Sequence, residues 1–206
     1  MPSAPQLPVR LLALGDSYTI GEAVEPDERW PLRLAAMLRA RGVDIAPPTI
    51  VARTGWTSDE LSSGIDGAGL GGGYDLVTLL IGVNDQYRGR MADEFRQRFR
   101  LLLGRALGFA NRRASRVIVV SIPDWGVTPF GRDKDRTRIS AEIDLFNTAV
   151  RDEAVRAGAT FVDVTPISRR AASEPELLAP DGLHPSGAMY AEWARVILPI
   201  AASALG

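Results

Sequence analysis

Short apolar runs alternating with helix-spaced apolar residues predict an α/β fold for this chain: a three-layer α/β/α sandwich around a five-stranded parallel sheet. Two observations carry this. Five runs of strand length are present, most of them closed by glycine or proline, and segments with a period near 3.6 separate them. A third, the 46% hydrophobic content over 206 residues, suits one domain spanning 1–206 with a substantial core.

The elements follow in chain order. Residues 9–14 are apolar and stop at Gly15, as a central strand buried on both faces does. Over 30–41, Trp30, Leu34, Met37 and Leu38 recur at helical spacing, with Pro31 early and Gly42 just beyond, which predicts a helix. Residues 49–52 read as a second strand leading into a turn at Gly55. The glycine-rich stretch 67–73 lacks the lysine and following Ser or Thr of a phosphate loop and is expected to be a flexible connection. Residues 76–81 form the most strand-like run and close at Gly82.

A long helix is expected over 91–111, with Phe95, Phe99, Leu102 and Ala106 on one face and arginines on the other. Residues 117–122 give a fourth strand, ended by Pro123. A helix bearing Ile139, Ile143, Phe146 and Val150 precedes a fifth strand at 161–164. Ser186 caps a last helix carrying Met189, Tyr190, Trp193, Val196 and Ile197, which Pro199 is expected to kink or end. In parallel sheets of this kind, ligands bind outside the carboxyl ends of the strands, so the neighbours of Gly15, Gly55, Gly82 and Pro123 share the functional edge.

Composition narrows the function classes. A formal net charge of -1 without long runs of one sign gives no pull toward nucleic acid or an anionic membrane. The absence of cysteine removes disulfides, thiolate catalysis and zinc-thiolate sites. Residues 1–8 lack the charged start and apolar core of a signal peptide, and no apolar run reaches membrane-spanning length, so no membrane anchor and a cytoplasmic location are expected, with secretion left open should a signal peptide have been trimmed.

Chemistry enters at Gly15-Asp16-Ser17, where a strand hands a serine hydroxyl to the next element. Serine becomes a useful nucleophile only beside a general base and oxyanion donors. The chain has one histidine, His184, in Asp181-Gly182-Leu183-His184-Pro185. A tight turn of this length can bring the Asp181 carboxylate back to Nδ1 and leave Nε2 to take a proton from serine.

These segments resemble the four blocks of the SGNH hydrolases, also called GDSL-type esterases and lipases. Gly15-Asp16-Ser17 matches the first block, Gly55 within Arg53-Thr54-Gly55-Trp56-Thr57 the second, Gly82-Val83-Asn84-Asp85 the third, and the stretch from Asp181 to His184 the last. The resemblance implies a flavodoxin-like sheet, Ser17 as nucleophile, His184 as general base and then acid, and Asp181 as the group orienting the imidazole. It further implies an oxyanion hole from the N–H groups of Ser17 and Gly55 and the amide of Asn84. A glycine at 55 permits close backbone approach, and an amide at 84 suits a developing alkoxide. Asp16 and Asp85 are expected to be structural, Ser121 to serve packing or a turn, and Asp163 has no assigned chemistry.

Competing fingerprints fail. The nucleophile elbow of α/β-hydrolases needs glycine where Thr19 stands, and Gly15 lacks the later glycines of a dinucleotide site. The expected reaction is therefore acyl transfer to water from a small-molecule ester, of small-acyl or lysophospholipid-like type, with no metal or organic cofactor. The family also contains thioesterases and carbohydrate O-deacetylases, which stand as alternatives, ahead of a non-catalytic binding module. Tyr18, Trp56, Tyr87, Trp125 and Phe130 follow strand ends, where they either line an apolar slot or pack helices onto the sheet. The stretch 125–138 reads as a loop able to move over the site.

Overall fold

The computed structural model describes residues 7–206. Met1–Gln6, which bear on the expectation about a leader, lie outside the described residues. In chain order the elements are β1 (Leu11–Asp16), α1 (Ser17–Ile20), α2 (Trp30–Ala40), β2 (Thr49–Arg53), α3 (Ser58–Gly67), β3 (Leu76–Leu80) and α4 (Val83–Tyr87), followed by α5 (Ala92–Phe109), β4 (Val117–Val120), α6 (Arg136–Arg156), β5 (Thr160–Val162), α7 (Thr165–Arg169) and α8 (Gly187–Leu205).

The strands form one parallel sheet in the order β2-β1-β3-β4-β5. The chain therefore reverses direction beside β1, between β2 and β3, the switch point of flavodoxin-like sheets. The change of direction puts α2 on one face and α3, α5 and α6 on the other, as the α3–α5 and α5–α6 contacts show. Helices α2 and α8 pack together, as do α5 and α6, giving the three layers. The central strands are buried on both sides: Leu12, Leu14, Val77, Leu79, Ile118 and Val119 are fully enclosed, which explains continuous apolar runs where a one-sided sheet would alternate.

Several boundaries differ from the sequence expectation. Strand β1 starts at Leu11 and continues through Gly15 and Asp16, because those residues pair with Ala52 and Arg53 on one side and Gly15 with Leu80 on the other. Val9 makes only an isolated bridge to Ile45. Helix α8 is not ended by Pro199 but runs to Leu205. Proline removes one backbone hydrogen bond, and the buried face made by Tyr190, Trp193, Ala194 and Ile197 against α2 carries the helix past it. Helix α3 occupies ground not assigned to any element, and the glycine-rich loop begins only where it ends. Among the described residues no helix is long and apolar enough to cross a membrane.

Candidate active site

The site grows from the carboxyl ends of β1, β2 and β3. At the end of β1, Gly15 is required by proximity, since a Cβ there would lie 2.1 Å from the Thr19 hydroxyl oxygen and 2.5 Å from the Leu80 carbonyl. Asp16 then caps α1, its Oδ1 accepting the Tyr18 N–H at 3.0 Å. The carboxyl is fully enclosed and its Oδ2 has no partner among the described residues. Burial pushes its pKa up to about 8, against the opposing pull of the Tyr18 N–H and with a further push from Asp85. Ser17 is the first residue of α1 and lies at the cavity wall.

After β2 the backbone turns at Gly55 with φ +80, a conformation that favours glycine, and the Trp56 N–H closes the turn onto the Arg53 carbonyl. The Gly55 carbonyl accepts from Arg88 Nη2 at 2.7 Å. After β3, Gly82 adopts φ +128 and opens α4, which carries Asn84. The Asn84 amide donates to the Trp56 carbonyl at 3.0 Å, so one of its two hydrogens orients the group and the other is left for a ligand. Asp85 turns away from the cavity. Its fully buried carboxylate accepts from the Ser58 N–H at 2.8 Å and hydroxyl at 2.7 Å and from Arg90, tying α4 to α3. Burial pushes the Asp85 pKa up while those donors oppose it.

His184 comes from the loop before α8. His184 Nδ1 lies 2.6 Å from Asp181 Oδ2, and Asp181 Oδ1 accepts from the N–H groups of Leu183 at 2.9 Å and His184 at 3.0 Å. Gly182 makes the turn with φ +69. Partial burial pushes the Asp181 pKa up, but the three hydrogen bonds together hold it below the ordinary carboxylate value. The loop is anchored by the Ala179 N–H on the His184 carbonyl at 2.8 Å and by the Phe130 N–H on the Gly182 carbonyl at 3.2 Å. Tyr18 packs beside the imidazole, with ring centroids 5.4 Å apart.

Ser17, Gly55, Asn84 and His184 line one cavity of about 180 Å³, with Tyr18, Tyr87, Trp125 and Phe130 supplying apolar walls. Of the aromatic residues singled out in the sequence, Trp56 alone does not join it: its ring covers Gly64 of α3, where even a Cβ would come within 2.1 Å. Spacing along a chain places a ring after a strand end but does not say which way it turns. Thr54, Val83 and Leu183 also line the cavity and were not singled out, although each adjoins a motif glycine, asparagine or histidine.

The expected 125–138 loop is two short 3-10 turns, Trp125–Val127 and Pro129–Gly131, followed by the start of α6 at Arg136. Arg136 donates to the carbonyls of Gly126 and Val127, both at 2.6 Å, so the segment is bonded in place over the cavity. Ser121 holds the Val164 N–H at 2.8 Å and meets Thr165, the packing role expected of it, and Asp163 accepts from Ser121 at 3.0 Å and from the Thr165 N–H. No group of three or more His, Cys, Asp or Glu side chains among the described residues is arranged to hold a metal ion.

Comparison with known proteins matches residues 13–192 to the GDSL-like Lipase/Acylhydrolase family. No curated protein matches the sequence. Among solved structures, the chain is similar to TesA, with 19% identity, coverage of 95% of this chain and 99% of that one, and a TM-score of 0.74. It is also similar to LAE5, an alpha/beta hydrolase enzyme from the metagenome of Lake Arreo in Spain, at 23% identity, coverage of 97% and 98%, and a TM-score of 0.68. The acetylxylan esterase Axe2 from Geobacillus stearothermophilus matches at 21% identity, coverage of 94% of each chain, and a TM-score of 0.71. At these identities the likenesses speak to the fold.

Proposed function

The chain belongs to the GDSL-like lipase/acylhydrolase family, and from that premise we propose that it is a serine carboxylic-ester hydrolase acting on small-molecule esters with short acyl groups. The observation that carries this reading is the 2.6 Å contact between Asp181 and His184 Nδ1 beside a cavity that Ser17, Gly55 and Asn84 also line. With Nδ1 held by a carboxylate, Nε2 is the ring nitrogen that accepts the Ser17 proton.

Ser17 Oγ attacks the ester carbonyl as His184 takes its proton. The carbonyl oxygen becomes an alkoxide facing the N–H groups of Ser17 and Gly55 and the second amide hydrogen of Asn84. Collapse breaks the bond to the alcohol, which leaves with the proton from His184, and the acyl group stays on Ser17. Water then attacks with His184 again as base, releasing the acid and restoring the hydroxyl. Asp181 remains ionised and stabilises the imidazolium at each transfer.

A cavity of about 180 Å³ favours a short acyl chain over the long chain of a lysophospholipid. A second reading, carbohydrate O-deacetylation, draws on Tyr87 and Phe130, whose rings are half exposed at the cavity and offer flat faces to a sugar. Hydrolysis of p-nitrophenyl acetate, lost in Ser17→Ala, is the result expected of an esterase. Full activity retained by that variant would exclude Ser17 as nucleophile, and a strong preference for acetylated sugars over aryl acetates would select the second reading.

A further inference from the structure

Glu22 bonds to both halves of the site. Helix α1 ends at Gly21, φ +69, and the N–H groups of Gly21 and Glu22 both turn back onto the Ser17 carbonyl, that of Glu22 at 3.0 Å. The Glu22 carboxylate reaches the other way and accepts the hydroxyl of Thr54, which lines the catalytic cavity beside Gly55. Ala23, next in the chain, stands at φ +62, a region that residues with a side chain rarely adopt. Backbone of this kind persists only where its surroundings over-determine it, and such outliers gather at functional sites. Here the surroundings are visible: the Trp30 indole N–H holds the Tyr18 carbonyl at 3.1 Å on one side of the loop, and Val24 packs on the core at the other.

The Thr54 contact falls next to the peptide that matters to the chemistry. The turn after β2 runs from Arg53 to Trp56, closed by the Trp56 N–H on the Arg53 carbonyl at 3.2 Å, and φ +80 at Gly55, its third residue, is what a type II turn requires. Its central peptide joins Thr54 to Gly55 and carries the Gly55 N–H. That peptide is the one whose direction differs between type I and type II turns, and glycine, which takes either sign of φ, does little to hold it. Arg88 steadies the far side of Gly55. The near side hangs from Thr54, a β-branched residue with few rotamers whose hydroxyl is bonded to Glu22. We infer that Glu22 is a positioning residue: through Thr54 it fixes the direction of the Gly55 N–H, and through the Ser17 carbonyl it sets that donor against the nucleophile. The inference rests on the esterase reading above, in which the Gly55 N–H faces the oxyanion. Glu22 itself transfers no proton.

The test is p-nitrophenyl acetate hydrolysis by the wild type, Glu22→Ala, Thr54→Val, the double variant and two conservative variants, Glu22→Gln and Thr54→Ser, with melting temperatures alongside. Each disruptive single change should lower kcat about tenfold, short of the hundredfold or more that follows loss of a whole oxyanion donor, with KM within about twofold of the wild type. The double variant should be no slower than the slower single one, since both changes cut the same bond. Glutamine still accepts from the Thr54 hydroxyl and serine still donates, so both conservative variants should regain most of kcat. Thr54 is exposed and Glu22 partly so, and melting temperatures should stay close to that of the wild type; Glu22→Ala decides the matter alone if Thr54→Val does not fold. Wild-type kcat in the disruptive variants, losses that multiply in the double variant, or a rise in KM alone overturns the inference and leaves the esterase reading intact. So does a fall in kcat that tracks a fall in melting temperature. No ester hydrolysis by the wild type, with Ser17 unreactive toward a fluorophosphonate, removes the esterase reading and this inference with it.

Discussion

Arg88 Nη2 donates to the Gly55 carbonyl at 2.7 Å, while Asn84, one helical turn earlier, donates to the next carbonyl, that of Trp56, at 3.0 Å. Two consecutive peptides of the turn after β2 are thus gripped from one side of α4. Arg88 is itself steadied by Glu60 at 3.2 Å. On the proposed mechanism, truncating Asn84 takes away an oxyanion donor as well as this grip, so Asn84→Ala should lower kcat about a hundredfold or more. Arg88→Ala loosens the turn without removing a donor and should lower kcat by less, about tenfold, with KM for a small ester nearly unchanged and partial recovery in Arg88→Lys. Steady-state kinetics on the three variants check the order.

In the proposed mechanism Asp181 acts on the rate through His184, whose Nδ1 it holds at 2.6 Å. Asp181→Asn keeps the size of the side chain but no longer stabilises the imidazolium, so kcat should fall by about 10³ to 10⁴. The Asp181 pKa is held below the ordinary carboxylate value, and its contribution to stability is therefore present above the unfolded value, about 3.9, and lost as pH falls through the folded one. Asp181 stays ionised above that range, so its own titration leaves activity near neutral pH unaffected. A kcat/KM profile that stays flat down to pH 4 would contradict His184 as base.

Asp16 gives the opposite sign. Its pKa is raised to about 8 by burial, so between the unfolded value near 4 and pH 8 the folded chain holds a proton that the unfolded chain has released. Stability contributed at this position falls as pH rises across that window and levels off above it. Asp16→Asn keeps an oxygen for the Tyr18 N–H and removes the titration. Denaturation midpoints measured from pH 5 to 9 should decline less steeply in the variant than in the wild type; parallel curves would show that Asp16 is ionised throughout.

Gly82 has no room for a side chain. At φ +128, a Cβ would lie 2.5 Å from the Phe95 ring and 2.8 Å from Ile122. Gly82→Ala should cost roughly 1–3 kcal/mol in urea unfolding from crowding, with backbone strain adding to it. Because Gly82 caps the helix that carries Asn84, activity should fall as well.

Much of this architecture can be read from the sequence because strand ends and chemistry coincide. Apolar runs closing at Gly15, Gly55 and Gly82 mark one edge of a parallel sheet, and the single histidine with an aspartate three residues earlier supplies the remaining partner. Helix α3 is hidden in the sequence although Thr57 and Glu60 form a capping box and Leu61 and Ile65 mark its buried face. Its Ser62, Ser63 and Gly64 are weak helix formers that resemble loop residues. The bearing of Trp56 on Gly64, the passage of α8 through Pro199 and the Gln86 bond to Trp125 depend on contacts between distant segments, which periodicity does not encode.

Activation of Ser17 as a nucleophile by His184 and Asp181 is read out by intact-mass and peptide analysis after treatment with a fluorophosphonate. The wild type should gain one adduct, mapped to the peptide containing Ser17, with labelling much slower in Asp181→Asn and absent in Ser17→Ala. A folded wild type that takes up no adduct, or a Ser17→Ala variant labelled as fast as the wild type, would contradict it.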